Sequence, residues 1–190
     1  MGKKDIDRLY NVFKEQAEAV SARVYRVKDP RDAGRRLTQI FQELNVSNVI
    51  TAQSDLLREC LGAADTGKVT VYAENLREHS EDAHLGLSEA DLAIAETGTL
   101  VQDSTALEQR LVSTLPPVHV ALVRTGRLVE HFVDALEQLN HERAELPGYI
   151  AFISGPSRTA DIERVLTIGV HGPEQLHIIF VDRPGGEQVE

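Results

Sequence analysis

The sequence predicts an α/β fold, arranged as a three-layer domain with a mostly parallel central sheet. Three observations support this prediction. Residues 1–72 alternate amphipathic helical patterns with short apolar runs, as parallel strands connected by covering helices do. Hydrophobic residues make up 42% of the chain, and 13 glycines bring the apolar share to about half, as in ordinary globular domains. A length of 190 residues suffices for one domain with a sizeable core.

The first half, residues 1–72, is predicted to contain three helices and three strands. Apolar residues recur every three or four positions from Ile6 to Val20, which places them on one face of a helix. Asp29 and Pro30 are suited to the N-cap and the first turn of a second helix. A third helix is expected around 56–61. The apolar runs that predict strands are 24–27, 49–51 and 69–72.

The second half, residues 84–182, carries the sequence motifs. A strand is expected over 90–96, and 99–102 would be the returning strand of a hairpin. A clear helical stripe covers 128–139, and a short helix is expected over 159–166. Further strands are expected at 118–123, 149–153 and 176–181. We expect a single domain over 1–190, with 183–190 as a loose tail.

Charge and cysteine content narrow the classes of partner and compartment. Twenty basic and 30 acidic residues give a net charge of −10, which disfavours nucleic acid and anionic membrane surfaces as partners. The sequence has neither an apolar signal segment nor a run long enough to span a membrane. Cys60 is the only cysteine, so the chain supplies no disulfide and no cysteine-ligated cluster. A cytoplasmic location is therefore expected.

Motifs for the commonest cofactors are absent from the sequence. There is no Gly-rich dinucleotide loop, no phosphate loop that ends in Gly-Lys-Ser/Thr and no His-Glu-x-x-His zinc motif. We therefore expect no redox cofactor and no metal site on this chain.

The first of three segments that could carry chemistry spans 154–161, between a predicted strand and a predicted helix. Helix N-termini favour anions, so the hydroxyls of Ser157 and Thr159, with Gly155 allowing close backbone approach, could bind a phosphate or carboxylate. The alternative is that Ser157 or Thr159 only caps the helix.

The second segment is Glu96-Thr97-Gly98-Thr99. A carboxylate at the end of an apolar strand lies where open α/β sheets bind their ligands, and burial there would raise its pKa towards general-base use. The alternative is a solvated glutamate before a glycine turn.

The third segment, 169–173, places His171 between glycines, and His177 follows in a predicted strand. The two imidazoles could converge on one ligand. Separate roles, with one histidine in a loop and one inside the sheet, are favoured.

These segments resemble the LUD domain family, the lactate utilization protein C group. The resemblance covers four stretches in the C-terminal half, in the family's order. The N-terminal half matches only in its alternation of helix and strand. The matching stretches are 90–101, with Glu-Thr-Gly-Thr at its centre, 115–120, 153–163, with Ser-Gly-Pro-Ser near its start, and 169–179.

The resemblance implies a fold related to glucosamine-phosphate isomerases, ribose-phosphate isomerases and CoA transferases. It also implies a role in oxidising L-lactate to pyruvate, together with partner proteins that carry iron–sulfur clusters. This chain would be a cluster-free subunit or accessory protein that binds a small anionic ligand. The alternative is a stand-alone isomerase-like or CoA transferase-like enzyme with Glu96 as base or nucleophile. The resemblance assigns ligand binding to Thr97, Gly98, Thr99, Ser154, Gly155, Ser157, Thr159, Asp161 and His171.

Overall fold

The computed structural model describes residues 3–142, 145–156, 158–160, 166–168 and 172–182. Six helices and twelve strands lie in these ranges. The helices are α1 (Lys3–Ala19), α2 (Pro30–Glu43), α3 (Asp55–Gly62), α4 (Leu76–His79), α5 (Leu107–Thr114) and α6 (Phe132–Glu142). The strands are β1 (Arg23–Val27), β2 (Asn48–Thr51), β3 (Thr70–Tyr72), β4 (Leu85–Glu89), β5 (Leu92–Ile94), β6 (Thr99–Asp103), β7 (Val118–Arg124), β8 (Leu128–Val129), β9 (Ile150–Ile153), β10 (Arg158–Ala160), β11 (Leu166–Ile168) and β12 (Gln175–Val181).

Six strands form a central sheet in which every neighbouring pair is parallel, in the order β1-β12-β7-β4-β2-β3. The predicted α/β class with a mostly parallel central sheet is therefore confirmed. Glu89 of β4 pairs with Leu122 of β7, and Arg124 of β7 pairs with Val181 of β12. The carboxyl ends of these three strands consequently meet at one edge of the sheet.

Buried apolar side chains join the helices to this sheet. As predicted, Asp29 caps α2, and its carboxylate accepts a hydrogen bond from the backbone N–H of Asp32. The apolar stripe of α2 and the inner face of α3 share a core with β2, β4 and β7. The stripe of α1 forms a second core in which the ring of Phe13 contacts that of Phe180 edge-on, with ring centroids 4.9 Å apart. Burial of side chains of this size contributes about 1.5–3 kcal/mol each.

A smaller four-stranded sheet, in the order β8-β5-β6-β9, packs beside α1 on the same face of the central sheet. Its inner residues Ala93 and Leu100 join the α1 core, and its outer residues Leu92 and Val101 are covered by α6. The predicted hairpin is present, because β5 and β6 are antiparallel and joined by the turn at 95–98.

Three predicted elements differ from the structure. The strand expected over 90–96 is limited to β5, and the strand β4 just before it is not predicted. The helix expected over 128–139 begins only at Phe132, because Leu128 and Val129 pair with β5 as the short strand β8. Their spacing imitates a helical repeat, but the contacts that bury them come from the sheet.

The short helix expected over 159–166 is also wrong. Arg158–Ala160 and Leu166–Ile168 are two antiparallel strands, in which Thr159 lies opposite Thr167. Both strands contain β-branched threonines, which favour extended backbone. Residues 161–165 and the tail at 183–190 lie outside the described residues.

Within the part of the chain that the structure describes, no helix has the length and apolar character that a membrane crossing requires.

Candidate functional site

Glu96 does not lie at the carboxyl edge of the parallel sheet, as its position after an apolar strand suggested. The strand before it, β5, belongs to the smaller sheet, where it pairs antiparallel with β6. The hairpin starts beside the central sheet at Asp91 and turns at its far end. The four residue-to-residue steps from Asp91 to Ala95 span roughly 13 Å in extended chain. The carboxylate that ends a central parallel strand is instead Glu89, on β4.

The Glu96 carboxylate binds the start of helix α6. Its Oε1 accepts the backbone N–H of Phe132 at 2.6 Å, and its Oε2 lies 3.0 Å from Nδ1 of His131. The hydrogen bond from His131 and that from Phe132 lower the pKa of Glu96, and the same carboxylate raises the pKa of His131. The expected rise in the pKa of Glu96 is therefore wrong, because its side chain is 41% exposed and well supplied with donors.

The next predicted residues do come together, at the end of α1. Oγ1 of Thr99 lies 2.6 Å from Oγ of Ser154. Gly98 and Gly155 both have positive φ, and both lie against the backbone of α1 and the turn after it. A Cβ atom at Gly98 would be 2.4 Å from the backbone nitrogen of Ala17, so only glycine fits there.

The remaining predicted residues are described only in part. Ser157, Asp161 and His171 lie outside the described residues, and Thr159 is described only as backbone of β10. Because β10 is a strand, no helix begins at Thr159 to attract an anion or to need a cap. His177 lies inside β12 and is fully buried, as expected, and burial lowers its pKa to about 4.

A cleft opens at the carboxyl ends of β4 and β7, where open α/β sheets place their ligands. Its volume is about 800 Å³. It lies between the last residues of the parallel strands, the base of the β5–β6 hairpin and the start of α5. Its lining residues are Ser54, Glu89, Ala90, Asp91, Asp103, Thr105, Ala106, Gln109, Arg124, Arg127 and Glu142.

Arg124 and Glu89 form the ion pair at the base of this cleft. Nε of Arg124 donates to Oε1 of Glu89 at 2.9 Å, and the two side chains are 35% and 19% exposed. Among the described residues, neither Nη1 nor Nη2 of Arg124 has a hydrogen-bond partner. A guanidinium held through Nε keeps its two terminal NH₂ groups for a carboxylate or phosphate.

A second arginine closes one side of the cleft. Nη1 and Nη2 of Arg127 donate to the two carboxylate oxygens of Glu142 at 2.6 and 2.7 Å. Its Nε donates to the backbone carbonyl of Asp91 at 2.8 Å. This bidentate pair ties α6 to the base of the β5–β6 hairpin, so Arg127 has mainly a structural role.

The two aspartates of the cleft accept hydrogen bonds from backbone amides at the end of β6 and just after it. Oδ2 of Asp91 accepts the N–H of Asp103 at 2.6 Å, and Oδ1 of Asp103 accepts the N–H of Thr105 at 2.9 Å. These bonds shape the chain between β6 and α5. In the described part of the chain, no group of three or more His, Cys, Asp or Glu side chains is arranged to hold a metal ion.

A second hollow of about 520 Å³ adjoins the cleft across Ala106 and Gln109. It extends over the ends of β2 and β3 and is bounded by Thr51, Glu74 and Asn75. The carboxyl edge of the sheet therefore presents one extended groove.

Sequence reasoning missed Glu89 and Arg124. The signal that could have found them is a charged residue directly after each of two largely uncharged segments, 85–88 and 118–123. The second segment was predicted as a strand. The first was not, because Gly86 and Ser88 interrupt its apolar pattern.

Comparisons with known proteins relate most of the chain to one family. The family model described as LUD domain matches residues 10–181. The chain is 34% identical over 191 residues to "Lactate utilization protein C" of Halalkalibacterium halodurans, which covers 93% of this chain and 81% of that protein. It is 29% identical over 190 residues to "Lactate utilization protein C 1" of Bacillus mycoides, which covers 93% and 80%. A crystal structure described as a DUF162 family protein from Deinococcus radiodurans matches with a TM-score of 0.60 and 18% identity, over 95% of this chain and 99% of that chain.

Proposed function

This chain belongs to the LUD domain family, and from that membership we propose that it takes part in lactate utilization. The proposal draws on the names of its relatives, which align with nearly the whole chain. Within that process we propose that it binds a small carboxylate, of the kind that L-lactate and pyruvate present.

The observation that carries the ligand proposal is the guanidinium of Arg124 at the carboxyl edge of the parallel sheet. The side chain is oriented by Glu89 through Nε, and its terminal N–H groups lie beside a cleft of about 800 Å³. Arginine recognises carboxylates through two parallel hydrogen bonds. The carboxylate of Glu89 in turn offers an acceptor for a hydrogen bond from the hydroxyl group of a 2-hydroxy acid.

We further propose that partner proteins with iron–sulfur clusters accept the electrons when lactate is oxidised. Cys60, the one cysteine of this chain, is buried in the core between α2, α3 and the central sheet. Burial raises the pKa of its thiol to about 12. A protonated, enclosed thiol is not a cluster ligand. We place this assembly in the cytoplasm.

The geometry gives little support to a stand-alone enzyme in which Glu96 removes a proton. A carboxylate with a lowered pKa is a weak base, and both of its oxygens already accept hydrogen bonds at the start of α6.

Growth on L-lactate tests the role and the site together. The gene is deleted from the organism that carries it, and the strain is complemented with wild type, Arg124→Lys or Arg58→Lys. Arg58 is the matched control because its side chain is 77% exposed and lies outside the cleft. Lysine keeps the charge but loses the planar pair of donors.

We expect wild type and Arg58→Lys to restore growth on L-lactate, and Arg124→Lys to restore it poorly although it folds. All strains should grow equally on glucose. Normal growth of the deletion strain on L-lactate would overturn the role in lactate utilization. Full rescue by Arg124→Lys would overturn the ligand site.

Affinity capture tests the partners. The tagged chain is recovered anaerobically from cells grown on L-lactate, and iron and acid-labile sulfide are measured in the captured material. We expect both, in proteins other than the tagged chain. Recovery of the tagged chain alone would contradict the proposed partners.

A further inference from the structure

A chain of buried polar side chains runs from the central sheet to the cleft. Ser88 on β4, His119 on β7 and Gln102 on β6 are all 0% exposed. Oγ of Ser88 lies 2.9 Å from Nε2 of His119 and 2.9 Å from Oε1 of Gln102. Nε2 of Gln102 lies 3.1 Å from Oε1 of Gln109 and 3.3 Å from the backbone oxygen of Gln109. Gln109 lines the cleft.

The direction of every hydrogen bond among these side chains follows from one group, the backbone carbonyl of Gln109. A carbonyl oxygen only accepts, so the amide group of Gln102 must face it with its N–H donors. The oxygen of Gln102 then faces Ser88, whose single hydroxyl proton must be donated to it. Oγ of Ser88 is left to accept a proton from Nε2 of His119.

His119 is thereby assigned the neutral form with its proton on Nε2. Its Nδ1 is buried without a hydrogen-bond partner among the described residues. A proton there would have no acceptor, whereas a lone pair is tolerated more easily. Burial lowers the pKa of His119 to about 4, which agrees with a neutral ring at neutral pH.

The same direction fixes the side-chain amide of Gln109. Its oxygen accepts from Gln102, so its Nε2 group is the part left to donate towards the cleft. We propose that Gln109 is a ligand-binding residue that donates an N–H group to the bound carboxylate beside Arg124, and that His119, Ser88 and Gln102 are positioning residues for it. This inference rests on the proposed function and specifies its ligand class.

The consequence is selectivity for ligands that present hydrogen-bond acceptors. Two donor groups, the guanidinium of Arg124 and the amide of Gln109, line one cleft. A carboxylate can accept from both. The amide of the same acid has a single acceptor oxygen, so its NH₂ group faces one of these two donors where a carboxylate would present a second acceptor.

NMR tests the direction of these hydrogen bonds without any ligand. We expect the ¹⁵N shifts of His119 to show a proton on Nε2 and an unprotonated Nδ1 at neutral pH. The side-chain amide protons of Gln102 should exchange slowly with solvent, and those of Gln109 quickly. A proton on Nδ1 of His119, or slow exchange at Gln109 with fast exchange at Gln102, would overturn the proposal whatever the protein's role in metabolism.

Calorimetric titration tests the ligand class, with acetate, L-lactate, pyruvate and L-lactamide as probes. Gln109→Glu keeps the oxygen that accepts from Gln102 but turns the donor into an acceptor. Gln109→Met is the neutral control of similar size. We expect wild type to bind the carboxylates and not the amide, Gln109→Glu to bind them about tenfold more weakly or worse, and Gln109→Met to lie between.

Ser88→Ala removes the link between His119 and Gln102 in this series of hydrogen bonds, and Ser88 does not line the cleft. We expect it to bind carboxylates more weakly and to lose part of the preference over L-lactamide, because the oxygen of Gln102 then loses its donor and Gln102 holds the Gln109 amide less firmly. Equal binding by wild type and Gln109→Glu, or no binding of any of the three carboxylates by wild type, would overturn the proposal. Growth on L-lactate, tested separately, decides the role in lactate utilization.

Discussion

Glu96 and His131 show how a single contact changes the meaning of a residue. As a sequence feature, Glu96 resembles a buried base at the end of an apolar strand. In the structure it lies at the start of α6, where its carboxylate accepts from His131 and Phe132. A carboxylate at a helix N-terminus is favoured by the exposed N–H groups there. The partner that makes the difference is 35 residues away along the chain, and no local pattern points to it.

The pair makes a pH-dependent contribution to stability. The pKa of His131 is raised from its ordinary value of 6.5. The contribution of His131 to the free energy of unfolding is therefore fully present below pH 6.5 and is lost as the pH rises through the raised pKa. The pKa of Glu96 is lowered from its ordinary value of 4.5. The contribution of Glu96 to the free energy of unfolding is therefore present above pH 4.5 and is lost as the pH falls through the lowered pKa.

We predict that the pKa of His131, followed by NMR, lies above 6.5 in wild type and falls towards that value in Glu96→Gln. The loss of the carboxylate removes the acceptor that favours the protonated ring. The melting temperature of wild type should exceed that of His131→Gln more at about pH 5.5 than at about pH 9. Identical titration of His131 in wild type and Glu96→Gln would show that the two side chains do not interact.

At the scale of elements, strand β4 and helix α5 depend on each other. Gly86 in β4 lies against the backbone of α5, and a Cβ atom there would be 1.8 Å from the carbonyl oxygen of Val112. The contact brings α5, and with it Gln109, to the edge of the cleft. Because the nearest atoms are backbone atoms of α5, no side chain can move aside to make room for a Cβ atom at Gly86.

We predict that Gly86→Ala destabilises the fold by about 3 kcal/mol or more, because β4 and α5 must separate to admit the methyl group. Gly62→Ala is the matched control, since no atom lies within 4 Å of a Cβ at that position in α3. It should be neutral or stabilising by up to about 1 kcal/mol. Denaturant unfolding measures both, and similar stabilities for the two variants would contradict this packing.

The same contact explains why part of the fold was not predictable from the sequence. The strands β2, β7 and β12 are rich in β-branched and other apolar residues, and they are predicted at nearly their observed positions. β4 was missed because glycine and serine stand in its interior, and glycine is there for the sake of α5. A local apolar pattern predicts a strand when its side chains pack in the hydrophobic core. It does not predict a strand whose glycine is required by close contact with a helix.

At the scale of the whole molecule, the predicted pair Thr99 and Ser154 and the cleft residues Arg124 and Glu89 belong to different sheets. Thr99 and Ser154 meet because the neighbouring strands β6 and β9 of the smaller sheet pair. Arg124 and Glu89 meet on the central sheet, at the opposite end of the β5–β6 hairpin. The sequence shows that a strand is followed by a carboxylate. It does not show to which sheet the strand belongs, since that depends on long-range pairing.

The central claim is that the ligand occupies the cleft at the carboxyl edge of the parallel sheet, and a titration of the ¹⁵N-labelled chain with L-lactate tests it most directly. We predict saturable shifts in the side-chain N–H signals of Arg124 and Gln109 and in the backbone amides of Glu89 and Asp91, all of which line the cleft. Arg58→Lys should respond as wild type does, and Arg124→Lys should not. Shifts centred on 96–99 and 154–155 instead, or no saturable shift at all, would contradict the claim.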